Sequence, residues 1–246
     1  MRLSDRVAVI TGGARGIGGA ASVLFAQEGA KVVVGDLLAA EGEATVEAIR
    51  KAGGQAIFVR TDVTREADCA ALMAAAVETY GKLDALVCCA GILRGAFVPV
   101  DEMEEALFSS VIDVNVKGTF LSVKHAVPWI RKAGGGVVVL IASGAGVRGG
   151  SSSVAYGTSK GGVHGLAMVL EDKLAPLGIR VNDVCPGAVD TPLKRENVAD
   201  AARATGQSVE EALARANLVD PMGIARVLAF LASPDADMVR GTVFTR

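Results

Sequence analysis

Short runs of β-branched and apolar residues recur at 6–11, 31–35, 56–60, 85–89, 136–141 and 179–184, separated by Ala-, Leu- and Glu-rich stretches of helical length such as 18–28, 40–52 and 66–80. This alternation is the strongest constraint on the fold. The strand-like runs are almost continuously apolar, which marks strands buried on both faces, and such strands joined by crossover helices build a parallel sheet. Right-handed crossovers then place a ligand at the carboxyl ends of the strands, near the point where the strand order reverses. The fold class read from this pattern is α/β, a doubly wound parallel sheet flanked by helices on both faces. With 246 residues, 51% of them hydrophobic, the chain has ample material for one large core. No linker, charge block or low-complexity segment interrupts the pattern, so 1–246 is expected to be a single domain. Two stretches break the rhythm, the Gly/Ser-rich 144–153 and the polar, Ala-rich 190–220. Both are expected to be substrate loops, the second spanning about 188–220.

Charge and cysteine usage narrow the partners. The formal net charge is −2 and the Lys and Arg residues are scattered, so no stripe exists to track a nucleic-acid backbone. The first residues run straight into Val7-Ala8-Val9-Ile10 without an apolar leader core, and no apolar run reaches membrane-spanning length. A soluble, cytoplasmic protein is expected, with neither nucleic acid nor membrane as partner. Cys69, Cys88, Cys89 and Cys185 show no spaced C-x-x-C pair, and His125 and His164 lie far apart in sequence. No metal site is expected; the thiols read as buried and the imidazoles as surface groups.

Directly after the first strand comes Thr11-Gly12-Gly13-Ala14-Arg15-Gly16-Ile17-Gly18, followed by a helix. Glycines in such a turn let the backbone bend sharply and approach a pyrophosphate, which backbone amides and the helix dipole favour. The spacing Gly12-x-x-x-Gly16-x-Gly18 starts where the strand stops, unlike the G-x-G-x-x-A match at Gly16, Gly18 and Ala21, whose third position falls inside the helix. Together with the strand pattern it implies a Rossmann-type dinucleotide site. The second strand ends on Asp36, suited to bonding the adenosine ribose hydroxyls and to repelling a ribose phosphate. Arg15 pulls the other way, since a guanidinium in the turn suits that phosphate. Asp36 is weighted more heavily, giving NAD as cofactor in preference to NADP.

Ser143 ends a strand, and Tyr156 and Lys160 follow in Tyr156-Gly157-Thr158-Ser159-Lys160. An interval of four puts phenol and ammonium on one helical face, a turn apart. A free phenol, with a pKa of about 10, is a poor base at neutral pH unless positive charge favours the phenolate, and Lys160 supplies one. Ser143 is placed to donate a hydrogen bond to the substrate oxygen beside Tyr156.

In order and spacing, Thr11 to Gly18, Asp62-Val63, Asn115, Ser143, Tyr156 with Lys160, and Pro186-Gly187 with Thr191 resemble the short-chain dehydrogenase/reductase family over almost the whole chain. The resemblance implies hydride transfer between a nicotinamide cofactor and a secondary alcohol or ketone, with Tyr156 as general acid/base. Ser143 would orient the substrate oxygen. Lys160 would lower the tyrosine pKa and bind the nicotinamide ribose, and Asn115 would support a water that links the lysine to solvent. It further implies that Gly12, Arg15, Gly16, Ile17, Gly18, Asp36, Asp62, Val63, Ala90, Gly91, Pro186, Gly187, Val189 and Thr191 meet the cofactor, the amide of Val189 meeting the carboxamide. An NADPH-dependent 3-oxoacyl carrier-protein reductase is the alternative, favoured by Arg15 and opposed by Asp36; a sensor without turnover is a third reading.

Three departures from the family pattern stand out. Cys89-Ala90-Gly91 replaces the usual Asn-Ala-Gly, the 220–225 segment lacks the usual glutamates, and Arg246 falls early in the final strand. Cys89 reads as a small buried hydrophobe. A homo-oligomer is expected through the long helices at 101–129 and 154–177, a tetramer rather than a dimer, with a frayed C-terminus and a weakened second interface. The loops 93–99, 144–153 and 188–218 are expected to line the substrate pocket, mixing Phe97, Val147 and Leu193 with Arg94 and Arg148.

Overall fold

The computed structural model describes residues 1–245. Strands β1 (Val7–Thr11), β2 (Lys31–Asp36), β3 (Gln55–Arg60), β4 (Ala85–Cys88), β5 (Gly136–Ile141), β6 (Ile179–Cys185) and β7 (Gly241–Phe244) form one sheet in the order β3-β2-β1-β4-β5-β6-β7. Every neighbouring pair is parallel. The strand order reverses between β1 and β4, and a crevice opens there at the carboxyl ends. The helices are α1 (Gly16–Gln27), α2 (Ala39–Lys51), α3 (Glu66–Tyr80), α4 (Glu105–Ile112), α5 (Gly118–Lys132), α6 (Val154–Leu174), α7 (Pro192–Ala204), α8 (Val209–Arg215) and α9 (Pro221–Ala232).

The period of two along each strand sorts the core into two layers. Ala8, Ile10, Val32 and Val34 point to one face, where they meet Phe25 of α1, Val46 and Ile49 of α2, and Leu228 of α9. Val7, Val9, Val33 and Leu86 point to the other, against Leu72 and Met73 of α3, Ile130 of α5 and Val163 of α6. Each such side chain, withdrawn from water, contributes roughly 2 kcal/mol. Their β-branched shapes suit strands that are covered on both sides.

Between α4 and α5 the backbone widens into a π-helical turn, Asp113–Lys117, so that 105–132 runs as one continuous helical rod. Glu105–Lys132 is the one helix among the described residues long and apolar enough by composition to cross a membrane. In the fold its Leu121, Val123, Ala126 and Ile130 are buried, the last three in the core layer under the sheet.

The 190–220 segment is a correction to the expected loop, because it holds the two helices α7 and α8. Alanine is the best helix former. The missed signals were the caps: Thr191 accepts from the Lys194 amide at 3.2 Å with Pro192 opening the helix, and Ser208 accepts from the Glu211 amide. At the other end of the chain, β7 pairs with β6 from Asn182↔Gly241 to Cys185↔Phe244, and the Thr245 amide continues to the Cys185 carbonyl at 3.2 Å. The terminal carboxylate of Arg246 lies outside the described residues. His164 is no plain surface imidazole. Its Nδ1 lies 3.0 Å from a carboxylate oxygen of buried Asp183, whose other oxygen accepts from Thr242 of β7 at 2.7 Å.

Candidate active site

A cleft of about 1170 Å³ runs across the carboxyl ends of the strands. It is lined by Gly12, Arg15, Gly16, Ile17, Gly18, Asp36, Asp62, Val63, Ala90, Gly91, Ser143, Tyr156, Lys160, Pro186, Gly187, Val189 and Thr191, every sequence-derived site residue but Asn115. Residues scattered over 180 positions meet because they lie at the carboxyl ends of parallel strands or on the segments that follow them.

The first turn is built on close approaches that only glycine permits. Gly12 has φ of 65°, and a Cβ there would stand 2.6 Å from the Ala90 amide nitrogen. A Cβ on Gly18 would stand 2.1 Å from the Gly12 carbonyl oxygen. The helix α1 begins at Gly16 with Arg15 as its extended N-cap, so the last two glycines of the pattern form its first turn. The backbone therefore presents helix amides to the cleft with no side chain between, a cradle that fits an anionic dinucleotide bridge. Asp36 faces this turn: its carboxylate accepts from the Ala14 amide at 3.0 Å and the Leu38 amide at 3.1 Å. Asp62 closes a tight turn by accepting from the Thr64 amide and hydroxyl, which holds Val63 at the cleft wall. Val189 pairs with Val219 in an isolated bridge, and its own amide has no backbone acceptor among the described residues.

The chemistry sits at the other end. Ser153 caps α6 by accepting from the Tyr156 amide at 3.2 Å, and this fixes where Tyr156 and, a turn later, Lys160 enter the cleft. Ser143 lies two residues beyond β5, its hydroxyl accepting from the Ala145 amide at 3.1 Å. Burial pushes the Tyr156 phenol above its ordinary pKa, and a hydrogen bond with Ser143 works against that rise. The Lys160 ammonium, 5.7 Å from the ring centroid, donates to the Ile141 carbonyl at 2.7 Å. In this arrangement the ammonium is directed to a backbone carbonyl, and Ser143 is the group that hydrogen-bonds the phenol. Burial brings Lys160 itself down to about 8, with the neighbouring cysteines 89, 185 and 88 pulling in the opposite direction. Burial also pushes the Cys89 thiol up to about 12. Cys89 is half-buried on the cleft wall and so is less enclosed than the expected hydrophobe.

Asn115 lies behind the wall, 1% exposed, on the π turn. Its side chain accepts from the Ile92 amide at 2.8 Å and donates to the Ile92 carbonyl at 2.9 Å and to Ser159 at 2.8 Å. It thereby ties the Gly91–Ile92 wall to the helix carrying Tyr156 and Lys160, and no direct hydrogen bond to Lys160 exists among the described residues. Asn115 makes these bonds from within the π turn, a local widening of the kind often found at functional sites. Sequence reasoning missed Ser153, Ser159 and Gly146. A Cβ on Gly146 would stand 1.9 Å from the Gly157 carbonyl oxygen, so the loop bearing Ser143 rests directly on α6. Positive φ at Gly146 was not visible in a Gly/Ser-rich string. Of the expected pocket loops, Leu193 and Arg94 line the cleft while Phe97, Val147 and Arg148 do not. Arg148 instead stacks on the Phe244 ring at 3.3 Å, outside the cleft.

Lys160 has a consequence for stability that runs against its chemistry. A buried ammonium with pKa near 8, against 10.5 when exposed, costs about 3 kcal/mol at neutral pH. The folded state binds fewer protons than the unfolded state between those values, so this penalty holds below pH 8 and is relieved as pH rises through the window. Lys160→Met is therefore expected to unfold at higher urea at pH 7. The gain is on the order of 1–2 kcal/mol once the lost bond to Ile141 is subtracted. The gap should narrow toward pH 10; a variant less stable than native at pH 7 would count against it.

A glycine-lined dinucleotide cradle that continues into a Ser-Tyr-Lys cluster defines a nicotinamide-dependent oxidoreductase acting on alcohol and carbonyl groups. A family profile described as short chain dehydrogenase matches residues 6–202, and the chain belongs to that family. It is 42% identical over 98% of its length, and 94% of the relative's, to a cis-4-hydroxycyclohexanecarboxylate dehydrogenase of Sinomonas cyclohexanicum. It is 35% identical, over 98% of its length and 94% of the relative's, to a 2,5-dichloro-2,5-cyclohexadiene-1,4-diol dehydrogenase of Sphingobium indicum. Among solved structures, levodione reductase superposes with a TM-score of 0.92 at 32% identity, covering 99% of this chain and 96% of that one.

Proposed function

We propose that the protein is an NAD-preferring dehydrogenase of ring-borne secondary alcohols and their ketones, with Tyr156 as the general acid/base. The observation that carries this reading is the convergence of Ser143, Tyr156 and Lys160 on the wall of the same cleft as the glycine turn. A nicotinamide held in this cleft would supply or accept the hydride. In reduction, Tyr156 gives its phenolic proton to the developing alkoxide; in oxidation it takes that proton from the alcohol. Ser143 holds the same oxygen by a hydrogen bond that strengthens as charge builds on it. Lys160 would bind the nicotinamide ribose and bias the phenol, with Asn115 positioning the wall behind it. Gly12, Gly16, Ile17 and Gly18 would hold the pyrophosphate, Asp36 the adenosine ribose, Asp62, Val63, Ala90 and Gly91 the adenine side, and Pro186, Gly187, Val189 and Thr191 the nicotinamide. The ring preference is supported by the two curated relatives whose names carry six-membered ring alcohols.

Asp36 supports NAD because its carboxylate faces the turn, where a ribose phosphate would meet a like charge. Arg15 is exposed, with no ion-pair partner among the described residues, and its place there does not outweigh that repulsion. Steady-state assays with NAD(H) and NADP(H) against cyclohexanol, cyclohexanone and an acyl thioester test the whole reading. Native enzyme should favour NAD and the ring substrates, and Asp36→Ala should move the NADP-to-NAD ratio of kcat/KM up by about tenfold or more. Native preference for NADPH and the thioester would reverse the assignment. A cytoplasmic homotetramer is proposed as well, supported by Phe120, Met168 and Val169, apolar yet exposed on α5 and α6. Light scattering coupled to size exclusion should give four protomers; a monomer at micromolar concentration would remove that interface.

A further inference from the structure

The cleft carries two cations that the chemistry above does not use. Of the other charged groups lining it, Lys117 pairs with Asp113 at 2.6 Å and Glu196 with Arg203 at 3.0 Å. Asp36 and Asp62 are held by local amides, Lys160 by the Ile141 carbonyl, and Arg15 belongs to the glycine turn. Arg94 and Lys194 also line the cleft, and neither has an ion-pair partner among the described residues.

Their backbones are fixed to one short segment. Ser153, the cap that sets Tyr156, donates through its hydroxyl to the Arg94 carbonyl at 2.6 Å. The next residue back, Ser152, accepts the Phe97 amide on its carbonyl at 2.6 Å and the Asn197 side-chain amide on its hydroxyl at 2.8 Å. Asn197 is buried and stands one turn after Lys194 on α7, whose first turn is capped by Thr191. The loop after β4, the start of α6 and the start of α7 are thus laced together beside Tyr156. Arg94 and Lys194 project from two of the three. Two unneutralised cations beside a half-buried cleft wall favour an anion whose own hydration is partly removed, and a guanidinium matches a carboxylate in two-point geometry.

We propose that Arg94 and Lys194 clamp a carboxylate carried by the substrate at a distance from its carbinol carbon, so that the enzyme takes ring hydroxy and oxo acids ahead of neutral ring alcohols. This rests on the reading of the cleft as the seat of a secondary alcohol. Both cations reach solvent, so the two together, acting on one carboxylate, contribute about tenfold rather than thousandfold.

The test uses holoenzyme with saturating NAD, 4-hydroxycyclohexanecarboxylate and its methyl ester. In native enzyme kcat/KM for the acid should exceed that for the ester by about tenfold or more. In Arg94→Gln and Lys194→Met the acid-to-ester ratio should fall toward one, through KM. Both substrates are read on one preparation, so partial misfolding leaves the ratio interpretable. Calorimetric titration of the NADH complex with cyclohexanecarboxylate and with its neutral carboxamide decides the clamp without turnover. The acid should bind more tightly in native enzyme and lose that advantage in both variants. Equal binding of acid and amide, or an advantage that survives both substitutions, overturns the proposal. So does a loss of NADH affinity in Lys194→Met as large as its loss for the acid, since that would assign the lysine to the dinucleotide. Turnover of neither substrate, with the acid still bound selectively, would instead sink the reading of the reaction and leave the clamp standing.

Discussion

Tyr156→Phe is expected to lower kcat by about three orders of magnitude while NADH still binds within a few-fold of native affinity. The substitution removes one oxygen and leaves the ring packed against its neighbours. What is lost is the one phenol that lines the cleft among the described residues, and with it the proton proposed to charge or discharge the carbinol oxygen. Ser143 does not replace it: a serine hydroxyl donates a hydrogen bond but is far too weak an acid to give up a proton at neutral pH. The cost should fall on kcat and kcat/KM together, because the interaction exists in the transition state and not in the ground state. Stopped-flow turnover under NADH saturation measures it. A variant that retains more than a tenth of native kcat would show that another group moves the proton.

Gly18→Ala should be the most damaging single methyl group in the chain for cofactor binding. Its Cβ would lie 2.1 Å from the Gly12 carbonyl, a backbone atom that cannot swing away as a side chain would. Either α1 backs off β1 or the turn opens, and both move the amides that form the cradle. Overpacking of this kind costs about 3 kcal/mol in stability, and displaced amides should raise the NADH dissociation constant by about a hundredfold or more. Gly223→Ala, in a helix with open space at its Cβ, is the matched control and should be neutral to slightly stabilising. Fluorescence titration with NADH and urea unfolding read the two effects separately. Native-like binding in Gly18→Ala would mean that the turn is not the pyrophosphate seat.

Strand and helix type were legible because periodicity and composition are local quantities. The runs at 136–141 and 66–80 coincide with β5 and α3, and the others differ by a residue or two at their ends. The error at 190–220 was equally local: polarity was read as irregularity where alanine and two capping hydroxyls meant helix. Polar composition reports exposure, and α7 and α8 are half-exposed helices, with Asn197, Ala199 and Ala202 of α7 buried.

The residue types of the site were also present in the string. The glycines of the first turn, Asp36 at a strand end, and the phenol and ammonium four residues apart all announce themselves by spacing, because a turn or a single helical face needs only neighbouring positions. Distance relations between remote segments carry no such mark. Nothing in the order of residues says that Asn115 grips Ile92 from a π turn, that Arg148 leaves the cleft to stack on Phe244, or that Ser153 joins Tyr156 to Arg94. Those are products of the sheet, which brings the Ser153 hydroxyl within 2.6 Å of the Arg94 carbonyl, 59 positions away. The sequence by itself determined the fold class, the cofactor turn and the reactive groups. Only the tertiary structure decided which loop residues face the substrate, because the direction of a side chain in a loop depends on what its backbone is packed against.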